Sequence, residues 1–141
     1  MDDLLKAKQI LSGGNFTAVL CKNEKQYTSV LRGVKPLVIW MEDKNNYYGY
    51  SAADKVVGKA TAFLYLLLGV KAVFAQVISK PAIQILETQG VFVGYETVVD
   101  NIINRQGNGI CPFEECVLPL NNKESAYVAI CEKMKEMNIT L

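Results

Sequence analysis

A single three-layer α/β domain, with helices flanking a mixed sheet, is the fold class this chain predicts, and three observations lead there. The 141 residues are 50% hydrophobic, enough for one core, and folded domains commonly run to about 100 to 150 residues. From residue 72 onward, runs with strand character alternate with helical stretches, the order that yields parallel strands joined by crossover helices. No repeat, low-complexity tract or Pro/Gly-rich linker interrupts the sequence, so residues 1–141 read as one domain.

The elements follow in order. A first helix is expected over residues 3–12, acidic at its start, with Gly13-Gly14 stopping it as a left-handed cap would. Two β-rich runs, residues 16–22 and 27–32, flank the polar Asn23-Glu24-Lys25 and read as a hairpin. Residues 37–41 have strand propensity but follow Pro36, which suits a first helical turn equally well, and they are assigned a short helix. A strand over residues 47–51 is expected to lead into a long helix over residues 54–68, whose later half is apolar all round and so must be covered on every side. A strand (72–78), a helix (81–88), a strand (91–95) and a final helix (123–137) complete the chain, with Tyr127, Ile130, Met134 and Met137 spaced to pack on the sheet.

Composition excludes several function classes. Fifteen basic and fourteen acidic residues leave a net charge of +1 with no polybasic stretch, which argues against nucleic acid as the main partner. The most apolar run, residues 60–70, ends at Lys71 and falls short of the roughly 20 residues a membrane-spanning helix needs. The start Met1-Asp2-Asp3 is acidic where a secretory signal is basic, so a cytoplasmic protein is expected. There Cys21, Cys111, Cys116 and Cys131 are expected as reduced thiols. Histidine is absent, which removes the commonest metal ligand and the commonest general base near neutral pH.

Polar residues concentrate at three places. Asp54 is a natural N-cap for the helix expected to begin there. Lys55 and Lys59 would then oppose the positive end of its dipole, at roughly 0.3 to 1 kcal/mol each; they are either simply solvated or balanced by a bound anion. Ser79-Lys80-Pro81 repeats the arrangement, with Ser79 able to cap and Pro81 suited to a first turn. Helices that follow successive parallel strands start at the carboxyl edge of the sheet, where open α/β sheets bind ligands, and their free N–H groups favour phosphate or carboxylate. The third place is the turn from Asn104 through Arg105, Gly107 and Gly109 to Cys111-Pro112-Phe113-Glu114, where Pro112 and Glu114 favour a helix starting at Cys111. Arg105 suits bidentate contact with an anion or packs over the loop. Cys111 is either a thiol activated by a helix start or a small residue closing a loop. Cys111 and Cys116, without histidine, fall short of a zinc signature.

Taken together, Asp54-Lys55-Val56-Val57-Gly58-Lys59-Ala60, Ser79-Lys80-Pro81-Ala82, Asn104-Arg105 and Cys111-Pro112-Phe113-Glu114 resemble a prokaryotic domain-of-unknown-function family with a cytidine-deaminase-like fold. The resemblance implies that the Asp54 helix stands where zinc deaminases carry His-x-Glu or Cys-x-Glu, and the Ser79 helix where they carry Pro-Cys-x-x-Cys. Neither motif is present, so it implies a pocket without zinc chemistry, no cofactor, and by fold analogy a nucleotide-like ligand. On the reading of a nucleotide-binding protein or enzyme, Asp54 or Cys111 is the candidate nucleophile or acid/base group. Lys55, Gly58, Lys59, Ser79, Lys80, Asn104, Arg105 and Glu114 would form the ligand-binding set. The competing expectation is an inactive deaminase-like module with a regulatory or assembly role, and a third is a thiol switch at Cys111. A homodimer is expected on family grounds.

Overall fold

The computed structural model describes residues 2–104 and 106–141. Helix α1 (Asp3–Gly13) is capped by Asp2, whose carboxylate accepts from the N–H groups of Leu4 and Leu5 at 2.7 and 3.2 Å. The helix ends at Gly14 in extended backbone, not in the left-handed cap expected. A Cβ there would lie 2.7 Å from the Phe16 ring, so a larger residue would displace that ring. Strands β1 (Ala18–Lys22) and β2 (Lys25–Ser29) form the expected hairpin around Asn23-Glu24, with Asn23 at φ 56°, a conformation that asparagine tolerates. Helix α2 (Lys35–Glu42) begins with Pro36 in its first turn.

The next segment departs from expectation. Residues 47–50 are not a strand: Tyr47 and Tyr50 pack with Tyr27 in an aromatic cluster, and Trp40 stacks near Tyr47. The strand is β3 (Ser51–Val57), and helix α3 (Lys59–Leu68) begins five residues later than Asp54. Asp54 therefore caps nothing. Ala52, Ala53 and Asp54 look like a helix start, but β3 lies between β1 and β4 and bonds to both; tertiary pairing overrides local propensity. Strand β4 (Ala72–Ser79), helix α4 (Lys80–Thr88), strand β5 (Phe92–Val99), helix α5 (Pro112–Val117) and helix α6 (Lys123–Glu136) follow.

The sheet has the order β2-β1-β3-β4-β5, antiparallel from β2 to β3 and parallel from β3 to β5. Its two faces are unequally covered. On one, α1 buries Ala7 and Leu11 against Val19, Cys21, Ala53 and Phe74. On the other lie the main core and the remaining helices, with α3 buried almost all round as its composition predicts. Helix α6 packs mainly on α3 and α5 through Ala126, Ile130 and Met134. Met137 is exposed, so the stripe expected to meet the sheet is shifted. Because β3 and β4 run parallel, α3 and α4 both start at the carboxyl edge. All four cysteines are free thiols. Among the described residues no helix is long and apolar enough to cross a membrane.

Candidate functional site

Asp54 lies on β3, and its side chain faces α3. There the Tyr65 hydroxyl donates to Oδ2 at 2.6 Å and the Val56 N–H donates to Oδ1 at 3.1 Å. The residue is 6% exposed, and among the described residues no cation pairs with it. Burial pushes its pKa from 3.8 up to about 7, against the opposing pull of the hydrogen bonds from Tyr65, Val56 and Lys55. The same burial, with the carboxylate beside it, pushes the Tyr65 hydroxyl well up. The outcome is a carboxyl group that can donate or accept a proton near neutral pH.

Glu114 comes from α5 and does what Asp54 was expected to do. Its carboxylate accepts from the Lys59 N–H at 2.7 Å and the Ala60 N–H at 2.8 Å, capping α3 from 55 residues away. Helix α3 has no capping side chain of its own, because its N-cap is Gly58. A Cβ at 58 would lie 2.5 Å from the Glu114 carboxyl carbon, so any larger residue there pushes the cap away. Burial raises the Glu114 pKa, while the two N–H groups and Lys59 hold it down. The anion that would balance the helix dipole is thus the protein's own.

Both acids line a cavity of about 360 Å³ between the start of α3, the loop before α2 and the start of α5. Gly58, Cys111, Arg32 and Thr61 also line it, and Ala18, Val34 and Phe113 give it apolar walls. The fold thus gathers Asp54, Lys55, Gly58, Cys111 and Glu114 from the sequence-derived set. Strand alternation, however, sends the Lys55 side chain to the face opposite Asp54. Cys111 is the half-buried N-cap of the six-residue α5.

The other candidates lie apart. Lys59 donates from Nζ to the Leu118 carbonyl at 2.8 Å and borders a second cavity of about 420 Å³ with Pro81, Gln84 and Asn122. Ser79 is buried and caps α4, its Oγ accepting from the Ala82 N–H at 3.3 Å. Lys80 makes an exposed ion pair with Asp100 at 3.0 Å. Asn104 exchanges hydrogen bonds with Asn108 inside the loop closed by the Ile103–Ile110 bridge. Arg105 lies outside the described residues. Sequence reading missed Arg32, Thr61 and Tyr65. Of these only Tyr65 left a signal: a hydroxyl within the otherwise apolar Ala62-Phe63-Leu64-Tyr65-Leu66-Leu67-Leu68. Among the described residues no three of Cys, Asp or Glu are grouped to hold a metal ion.

The fold and site define an α/β protein with a mixed sheet and an acid-lined cavity at the carboxyl edge of its parallel half. The chain belongs to the family described as TM1506: Domain of unknown function (DUF1893), which it matches over residues 6–134. Among solved structures it is similar to a DUF1893 family protein (TM1506) from Thermotoga maritima. The two are 28% identical with a TM-score of 0.86, over 94% of this chain and 91% of that one. A comparison with curated proteins finds no match.

Proposed function

We propose that the chain binds a small nucleoside- or nucleotide-like molecule in the cavity beside Asp54, on a cytidine-deaminase-like fold that has lost its zinc chemistry. The observation that carries this reading is a buried carboxyl group with no cation beside it among the described residues, on the wall of a largely apolar cavity, where burial raises its pKa. The volume of about 360 Å³ falls within the roughly 300 to 1,000 Å³ of small-ligand sites. A flat heterocycle presenting an N–H and an acceptor suits the apolar walls and a carboxyl group able to act as either partner. The phosphate of a nucleotide is assigned to the rim, where Arg32 borders the cavity; the start of α3 is already filled by Glu114. The deaminase-like part rests on the mixed sheet, with α3 and α4 following β3 and β4 at one edge. At those two starts stand Gly58-Lys59-Ala60 and Ser79-Lys80-Pro81, none of them zinc ligands.

Calorimetric titration with a panel of nucleosides and nucleotides tests the proposal. Binding that Asp54→Asn weakens at least tenfold is expected, and a wild-type protein that binds no member of the panel would sink it. One observation favours a second reading, an inactive regulatory or assembly module: both buried carboxyl groups already have partners within the protein. On that reading Asp54→Asn combined with Cys111→Ser leaves the cellular role intact.

A further inference from the structure

The two edges of the sheet are built differently. Strand β2 is five residues long, polar, and carries Lys25, the usual protection of a free edge. Strand β5 is eight residues long, Phe92-Val93-Gly94-Tyr95-Glu96-Thr97-Val98-Val99, with one charge and no Lys, Arg or Pro. Among the described residues it pairs only with β4, yet Phe92 is 63%, Tyr95 47% and Val98 36% exposed. An apolar, unblocked edge of that length is a template for another strand.

We infer that the outer edge of β5 pairs antiparallel with β5 of a second copy of this chain, about a two-fold axis at Tyr95. The register follows from the backbone. The Phe92 N–H donates inward to the Lys71 carbonyl, and hydrogen-bonding groups alternate sides along a strand. The even positions of β5 therefore serve β4, and Val93, Tyr95, Thr97 and Val99 turn their N–H and C=O groups outward. A two-fold at Tyr95 sets Tyr95 against Tyr95 and Val93 against Thr97 as hydrogen-bonded pairs. Phe92 then meets Val98 in the closer, non-bonded pairs, where side chains pack best. Each Glu96 faces Gly94, which presents no side chain. An axis at Glu96 sets the two carboxylates against each other, and an axis at Gly94 sets Phe92 against Glu96. Charge and apolar matching thus select one register, and the edge is self-complementary as an isologous interface requires.

Sedimentation equilibrium at micromolar concentration is expected to give twice the chain mass of 15.6 kDa. Thr97→Pro deletes an outward N–H and no bond to β4, so it should halve the measured mass with the circular dichroism spectrum unchanged. Gly94→Cys combined with Glu96→Cys gives an independent readout that does not depend on the Thr97→Pro variant folding. A Cβ at Gly94 meets only ordinary contacts, 3.7 Å to Phe74 and 3.8 Å to Phe92. Mild oxidation should link the copies through residues 94 and 96, as mapped by peptide mass spectrometry. A monomeric wild type, a dimer that survives Thr97→Pro in folded form, or a dimer whose engineered cysteines do not link 94 to 96 overturns the inference.

Discussion

The β3–α3 and β4–α4 junctions stand side by side in register. Asp54 is opposite Ala75 and Val57 opposite Ile78, so Gly58 corresponds to Ser79 and Lys59 to Lys80. The same supersecondary unit is completed in two ways. At β4–α4 the chain caps its own helix through Ser79, and Lys80 turns out to an ion pair with Asp100. At β3–α3 the cap position is a bare glycine, the first N–H groups are held by Glu114 from α5, and the neighbouring strand residue is a buried acid. A start closed by a distant segment leaves a space between helix and segment, here walled by Asp54 and Glu114. The cavity lies at the second kind of junction.

Four measurements test how differently the two junctions are held. The largest effect belongs to Asp54, whose pKa is about 7 in the folded chain against an ordinary 3.8. The folded state holds the proton more tightly. Stability is therefore full below about pH 4, falls as pH rises, and levels above about 7. At about 1.4 kcal/mol per pH unit the loss is roughly 4 kcal/mol. Urea midpoints across that window should show the slope, and Asp54→Asn should shrink it, with Glu114, also raised by burial, keeping a part. Next comes Glu114→Ala, which leaves two α3 N–H groups without partners; at about 1 to 3 kcal/mol for each unsatisfied group, a loss of roughly 2 to 6 kcal/mol is expected in the same assay. Gly58→Ala drives a Cβ into the bound carboxylate and should cost roughly 1 to 3 kcal/mol. Most of that cost should vanish in the Glu114→Ala background, as a double-mutant cycle would show. Ser79→Ala removes an ordinary local cap, worth about 1 kcal/mol by thermal unfolding, and should leave ligand binding at the cavity unchanged.

Local physics made much of the fold legible. The hairpin at Asn23-Glu24, the helix after Pro36, the strand–helix alternation from residue 72 and the apolar α3 were all readable, because turn residues, proline and hydrophobic pattern act within a few positions. The β3–α3 boundary was not. Ser51 to Asp54 carry no local mark of being flanked by β1 and β4, and an acid before an apolar run reads as a cap. The site was legible as a set of residues rather than as an arrangement. Asp54, Gly58, Cys111 and Glu114 do converge, but the Glu114–Lys59 contact spans 55 residues, and no local rule reports it. Ser79 and Lys80 were read as site residues because their sequence copies the Lys55–Lys59 pattern, yet one is an inward cap and the other a solvated ion pair.

The 55-residue reach of Glu114 also fixes an order of events at the ribosome. As the chain emerges, β3, α3, β4, α4 and β5 are all released before residue 114, so the sheet can assemble while the first N–H groups of α3 still face water. Their closure waits for a contact across 55 residues, a longer loop than any strand pairing of the sheet closes, and so a costlier one in chain entropy. The cavity therefore cannot close before residue 114 has been made, whereas every strand of the sheet precedes that residue in the chain.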